Sequence, residues 1–534
     1  MRVLVPVIFL LAGFLLPASA APRPESVAIL YNSAIPESRQ LAEFYRDARG
    51  IPPENLIGLE MPAVADVSRA EYEEKISAPL RRQFDTRGWW KRGRDPAGLT
   101  LPIANDIRVL VSMRGVPLRI QAKPKPAPPA ATAGSPSQPA PAAPKDPTSA
   151  RDDAAVDSEL AMFGVEGVPI EGVLQNRYHK SDKKINDARL PFLVLTARID
   201  AASNATCERM IRDAIESEET GLWGMTYVDI ANKFPQGDQW LETLATASNR
   251  AGIPTVIDRF NETLPKNYPM GEASVYFGWY DGSVNGPFLN PNFKFRKGAV
   301  AAHLHSFSGA QLGNANQNWC APLLERGAAV TLGNVFEPYL HLTHDLGLLH
   351  QRLLDGFSWV EACWMAMPVT SWQGVILGDP LYQPFKHLAG TGKIHKEDKD
   401  FRAVRAANLQ WPGNASERRA RLEQAAARLN SGTLYEAVGL DLLKQGLAAE
   451  AVMHFRNAKA AYVRTEDRMR QDFHIIAIDR AANRKDLALR GLRDAQLTYG
   501  PIPEAESLAA WILILDPPPP PPPPPPASPA AGKS

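Results

Sequence analysis

The sequence predicts an α/β fold built on a mostly parallel sheet with helices on both faces, followed by a small all-α region. Three observations carry that prediction. Short apolar runs stop abruptly at Gly, Asp, Ser, Asn or His, as in YFGWYDGSVNGPF, AVAAHLHSFSGA, GAAVTLGNVFEPYL and GVILGDPLYQPF. Buried parallel strands look like this when polar loops leave their carboxyl ends. The runs alternate with amphipathic helical stretches, the crossover pattern that parallel strands require. Beyond Phe385 the composition shifts to Arg, Ala, Glu and Leu at helical spacing.

Ser26–Tyr31 (SVAILY) is the first expected strand. Pro36 opens a helix with Leu41, Phe44 and Tyr45 on one face, and Gly50 ends it. Asn55–Leu59 is the second strand. Ser68 and Glu71 form a capping box at the start of a helix reaching Phe84. Ile107–Ser112 (IRVLVS) is the third strand. Nine of the 28 residues from Lys123 to Ala150 are proline. Such a stretch cannot bury enough apolar area to fold, so 121–150 reads as a disordered insertion inside the domain. The alternation resumes after it. Strands are expected at Phe192–Thr196, Gly224–Ile230, Pro254–Asp258, Val275–Gly278, Ala299–Leu304, Ala328–Leu332 and Gly374–Leu377. Helices are expected at Cys207–Glu219, Asn318–Arg326, Leu346–Asp355 and Trp359–Met367.

The amino terminus reads as a secretory signal peptide over 1–20. Arg2 supplies the positive start, Val3–Leu16 the apolar run and Ala18-Ser19-Ala20 the cleavage site. The α/β domain is expected over 21–389, a polar linker over 390–414, a helical region over 415–500 and a proline-rich tail over 501–534. In the helical region Tyr435, Val438, Gly439, Leu442, Gly446, Ala451, Phe455 and Ala458 fall at the spacing of a tetratricopeptide repeat. A weaker copy uses Ala488, Leu492 and Ala495. Leu508–Leu515 is too short to span a bilayer and suits a last docked helix. Pro517–Pro526 should form a polyproline II rod of about 31 Å.

Formal net charge is +1, so there is no global electrostatic case for nucleic acid or an anionic membrane as partner. No later segment is long and apolar enough for an integral membrane span after signal removal. No phosphate-binding, dinucleotide-binding, zinc-peptidase or nucleophile-elbow motif is present, and no cofactor is expected. Cys207, Cys320 and Cys363 fit no zinc spacing and read as buried thiols, with one disulfide allowed.

The segment Val275–Phe385 resembles the catalytic domain of gingipain-type cysteine peptidases, which share the caspase-like fold. Leu377-Gly378-Asp379-Pro380 matches that family's closing segment, Gly327-Ala328-Ala329-Val330 matches a strand, and Tyr45 with Arg49-Gly50 fits the end of the first helix. The resemblance implies a caspase-like topology for the α/β domain. It fails at the dyad: Asp281-Gly282 stands where His-Gly would be, and His305-Ser306 where Ala-Cys would be. Across nearly all of 25–385 the chain is also similar to a family of exported bacterial proteins found in genomes carrying exosortase, a membrane sorting enzyme. The matching residues are Arg49-Gly50-Ile51-Pro52, Arg114-Gly115-Val116-Pro117-Leu118, Val156-Asp157-Ser158-Glu159-Leu160, His305-Ser306-Phe307-Ser308 and Gly378-Asp379-Pro380. That similarity implies export to the periplasm or cell envelope and brings no reaction with it.

In open α/β sheets ligands gather at the carboxyl ends of the strands. The candidate site there comprises Tyr280, Asp281, His303, His305, Ser306, Asn334 and Glu337, with Arg114 to hold a carboxylate. The leading expectation is a degenerate peptidase-like cleft that binds a peptide or a cell-envelope protein. The first alternative is a hydrolase using Ser306, His305 and Asp281. The second is a metal site on His303 and His305 with Asp281 or Glu337. Arg198 is expected to pair with Asp157, Glu159 or Asp200 instead of holding a ligand. Asp379 before Pro380 reads as a turn former.

Overall fold

The computed structural model describes residues 21–123 and 148–519. The expected signal peptide, most of the proline-rich insertion and most of the proline tail lie outside the described residues. The strands of the two parallel sheets are, in chain order, β1 (Val27–Asn32), β2 (Leu56–Leu59), β3 (Val109–Met113), β4 (Leu195–Ile199), β5 (Met225–Asp229), β6 (Thr255–Asp258), β7 (Ala273–Gly278), β8 (Val300–His303), β9 (Thr331–Asn334) and β10 (Gly374–Leu377). The fold is mixed α/β and rich in parallel pairing, with a helical carboxyl-terminal region. The strands divide between two sheets, in two compact units. The first unit covers Met1–Ile215 with Asn334–Phe385, the second Glu216–Gly333 with Lys386–Ser534. The helix Asn204–Thr220 and strand β9 carry the chain across that division.

The six-stranded sheet runs β9-β10-β4-β3-β1-β2, parallel from β10 to β2. Val109 pairs with both Val27 and Leu195, and every residue of β3 and β4 is buried. Helix α1 (Pro36–Arg49) covers the sheet with Leu41, Ala42 and Tyr45, and Gly50 ends it in the left-handed conformation at φ 64°, which costs a glycine little. The next helix, 69–87, starts at the expected capping box: Ser68 Oγ accepts from the Glu71 amide and the Glu71 carboxylate accepts from the Ser68 amide. Its middle, Tyr72–Ser77, is a π turn.

Several buried polar and charged groups pair with one another inside the first unit. Asp379 is fully buried and accepts from Tyr45 Oη at 2.8 Å and Arg49 Nε at 2.5 Å. It also accepts from the Leu381 amide, the turn-forming bond expected of Asp before Pro. Arg198 is fully buried, with Nε 2.7 Å from Asp157 and Nη1 2.9 Å from Asp200; Nη1 also donates to the Val116 carbonyl and Nη2 to that of Pro117. Glu159 goes to Arg69 and Ser371 instead. Val156–Leu160 is a short helix, so Asp157 and Glu159 point apart.

In the second unit the sheet runs β6-β5-β7-β8, again all parallel. A helix over Pro235–Arg250 buries Leu241, Leu244, Ala245 and Ser248. The carboxyl-terminal helices are α2 (Lys399–Gln410), α3 (Ala415–Leu429), α4 (Gly432–Lys444), α5 (Ala448–Ala461), α6 (Thr465–Ala481), α7 (Lys485–Tyr499) and α8 (Glu506–Leu515), joined by short turns. Helix α2 occupies the stretch expected as a linker. Gly439 lies so close to the Phe455 ring that a Cβ there would sit 2.6 Å from Cε1, which is why small residues recur at this spacing. Glu436 and Arg470 form a bidentate pair at 2.7 Å, both buried, with His474 and Tyr462 also on Glu436. Burial alone would raise the Glu436 carboxyl, but Arg470 and His474 hold it well below the usual carboxylate range. Pro517–Pro519 are exposed.

Breaking a buried ion pair by removing one partner leaves an uncompensated charge. Arg198→Met is therefore expected to lower stability by about 3–5 kcal/mol, read as a shift in the urea unfolding midpoint. A loss no larger than that of an exposed-arginine variant such as Arg428→Met would show that Arg198 does not organise the unit.

Candidate functional site

The expected site residues divide between the units. Arg114, Asn334 and Glu337 belong to the first. Tyr280, Asp281, His303, His305 and Ser306 belong to the second.

In the first unit these side chains serve the fold. Arg114 donates to the carbonyls of Ala201 and Ala202 and to Asn204 Oδ1, at 3.1–3.5 Å. Asn334 is buried and accepts from Thr343 Oγ1 at 3.0 Å. The Glu337 carboxylate accepts from the Tyr339 amide, and its carbonyl from Arg151.

In the second unit the carboxyl ends of β7 and β8 bring Tyr276, Tyr280, Asp281, His303 and His305 together. His303 is the last residue of β8, in register with Gly278 of β7. The absence of a side chain at Gly278 leaves room for the Tyr276 ring; a Cβ there would sit 2.4 Å from Tyr276 Oη. The phenol reaches His303 Nδ1 at 2.9 Å. The backbone amide of Asp281 donates to His303 Nε2 at 3.0 Å. A ring nitrogen that accepts carries no proton, so the hydrogen of the neutral imidazole sits on Nδ1 and is donated to Tyr276. Trp319 stacks on the ring at 3.6 Å between centroids, and its indole N–H donates to the Asp281 carbonyl at 2.7 Å. Asp281 is thus held at both backbone groups. Burial first, and His305 second, push the His303 imidazole well below its ordinary value.

The chain turns immediately after β8, with Phe307 in the left-handed region at φ 60°. His305 therefore lies beyond the strand, off the face that carries His303. Its Nδ1 is bonded to the Ser306 carbonyl at 2.7 Å, and its ring packs against Tyr280 at 4.8 Å. The Asp281 carboxylate accepts from the Gly282 amide, Thr263 Oγ1 and the Asn285 amide group. In this arrangement His303 has both ring nitrogens committed, which counts against it as a base or a metal ligand. Among the described residues no group of three or more His, Cys, Asp or Glu is placed to hold a metal ion. The cysteines are free and buried, and burial pushes the Cys320 thiol up to about 12, far from a thiolate nucleophile.

Sequence reasoning missed three features of this end of the sheet. Phe234 packs on Tyr280 at 5.4 Å, extending an aromatic row Phe234–Tyr280–His305. Phe234 is 47% exposed, Tyr280 38% and Phe307 44%. Trp319, immediately before the following short helix, stacks on His303. Asp229 and Asp258 end adjacent strands in register, both buried. The matching run endings in TYVD and TVID were the signal that could have found them. Asp229 accepts from the Leu264 amide and Asp258 from the Phe260 amide. Burial pushes the Asp258 carboxyl up to about 7, and burial together with Asp258 lifts Asp229 well above its ordinary 3.8.

No family model matches the chain, and no curated protein matches it. Among solved structures, a chain described as "Structure of Protease" aligns over 68% of this chain and 79% of its own length, at 9% identity and a TM-score of 0.35. A likeness that slight carries no argument about activity. Among the described residues no helix is long and apolar enough to cross a membrane.

The carboxyl pair sets a pH dependence. The folded state binds the proton more tightly than the unfolded chain, so this stabilisation is fully present below the ordinary carboxylate range. It is lost as pH rises through about 7. Asp258→Asn keeps the acceptor for the Phe260 amide without the charge. It is expected to raise the urea midpoint at pH 8 and to change it little at pH 4. An equal change at both pH values would contradict the buried-carboxyl account.

Proposed function

We propose that this chain is an exported cell-envelope protein whose second unit binds a peptide or protein partner through the aromatic row at the carboxyl end of its sheet. The observation that carries the reading is the contrast at that end. His303 is committed to the backbone of Asp281 and to Tyr276, while Phe234, Tyr280 and Phe307 present rings to solvent. Exposed aromatic rings on a rigid strand end supply contact area with little entropy to lose, as binding anchors do. The resemblance to a peptidase fold without its His/Cys dyad supports a cleft that has kept recognition and dropped chemistry. The similarity to exported proteins of exosortase-bearing genomes supports a role alongside envelope protein sorting, and the helical pairs add a second docking surface.

The test separates binding from hydrolysis. A displayed peptide library is selected on the purified protein, and the enriched peptides are measured against Tyr280→Ala and Phe234→Ala. Each variant is expected to weaken binding about tenfold or more. In parallel the protein is treated with a fluorophosphonate probe, and no adduct is expected at Ser306. Peptides that bind both variants as well as the parent would sink the aromatic-row reading. An adduct at Ser306 that disappears in His305→Ala would replace it with the hydrolase.

A further inference from the structure

The first unit contains a cavity of about 780 Å³ at the amino end of its sheet, away from the strand ends where ligands were expected. Arg108, immediately before β3, forms part of its wall, together with Arg23, Arg189, Asn105, Glu25 and Asp106. Arg108 is 8% exposed. Its Nη2 donates to the carbonyls of Ile185 and Leu190, and its Nε has no hydrogen-bond partner among the described residues. The Asn105 amide nitrogen beside it is buried and also lacks a partner there.

This burial is unlike that of the other deeply buried arginines. Arg198 and Arg470 each face two carboxylates. Arg405 has no carboxylate but lies over the Trp223 ring at 4.0 Å. Among the described residues Arg108 has neither an acidic partner nor an aromatic face. A guanidinium held this way is costly unless an anion completes its surroundings. The two further arginines on the same wall, Arg23 and Arg189, are exposed, and neither takes part in an ion pair among the described residues. The volume lies in the range of small-molecule sites.

We infer that this cavity is a binding site for an oxyanion, the carboxylate or phosphate group of a small ligand, held by the charge of the Arg108 guanidinium, whose Nη2 is already committed to protein carbonyls, together with Arg23 and Arg189. Arginine suits this task because its guanidinium stays charged when buried and can hold protein carbonyls with one nitrogen while its charge faces a ligand. Glu25 and Asp106 also line the cavity and can accept from hydroxyl or amino groups elsewhere on the ligand, which would favour a polar ligand over a bare ion. The site is independent of the aromatic row in the second unit.

The experiment titrates the full chain with inorganic phosphate and, separately, with acetate, at constant ionic strength set with chloride. The readout is the thermal unfolding midpoint, with calorimetry for affinity. At least one oxyanion is expected to raise the midpoint saturably. Phosphate alone would point to a phosphate ester, acetate alone to a carboxylate, and both to a general oxyanion site. Arg108→Lys keeps a charge but loses the planar guanidinium that bonds the Ile185 and Leu190 carbonyls, and is expected to weaken binding about tenfold or more. Arg23→Gln and Arg189→Gln alter exposed residues that the fold does not need. Each is expected to weaken binding several-fold, so the proposal stays testable even where Arg108→Lys fails to fold. Arg428→Gln, an exposed control, should bind like the parent. No saturable effect of either anion overturns the inference. So does an equal effect in the parent, Arg23→Gln and Arg189→Gln, or an equal loss in Arg428→Gln.

Discussion

A polar group taken out of water must find a partner, and most of this chain's long-range architecture follows from how that requirement is met. Parallel strands buried on both faces leave no solvent for the charges that loops and strand ends bring in. Arg198 sits within β4 with no exposed surface, so Asp157, Asp200 and two loop carbonyls must converge on it. That convergence ties the segment after the proline-rich insertion to the loop before it. Asp379 does the same for the end of α1, through Tyr45 and Arg49. In the helical region Glu436 and Arg470, 34 positions apart, fix successive hairpins against each other. In the first unit Arg49, Asp157 and Asp379 are thus members of sets of largely buried groups that pair with one another.

The same rule explains the site. The carboxyl end of a parallel sheet collects polar groups, and at β7 and β8 they are used to hold a loop. His303 and Trp319 grip the two backbone groups of Asp281, whose amide fixes the imidazole tautomer and so leaves Nδ1–H to Tyr276. The rigid loop that results presents Tyr280 outward, against Phe234 on one side and His305 on the other. Rigidity and exposed rings favour recognition. A general base needs the opposite, an imidazole with a nitrogen directed at a nucleophile.

Much of the architecture was legible in the sequence, for identifiable reasons. Period, capping and punctuation are local, so the Ser68–Glu71 box, the Gly50 stop and nearly every parallel strand could be read directly. The division of the strands between two sheets could not, because it depends on which edges pair. The helix Pro235–Arg250 was hidden by its glycine and its many small and polar residues. The site was half legible. The strand-end signal pointed to Tyr280, Asp281, His303 and His305. Their roles depend on contacts over 16 to 41 positions, such as Trp319 on His303 and Trp279 on Asp238, which no spacing encodes. The turn at Leu304, which takes His305 off the strand face, likewise follows from tertiary pairing with β7.

The central claim is that His303 is a structural clamp and not a base. Nitrogen-15 NMR of the imidazole, recorded on the full chain between pH 5 and 8, tests it most directly. The account predicts a neutral ring protonated on Nδ1 whose shifts stay constant across that range. An imidazole that titrates near its ordinary 6.5, or one protonated on Nε2, would contradict it.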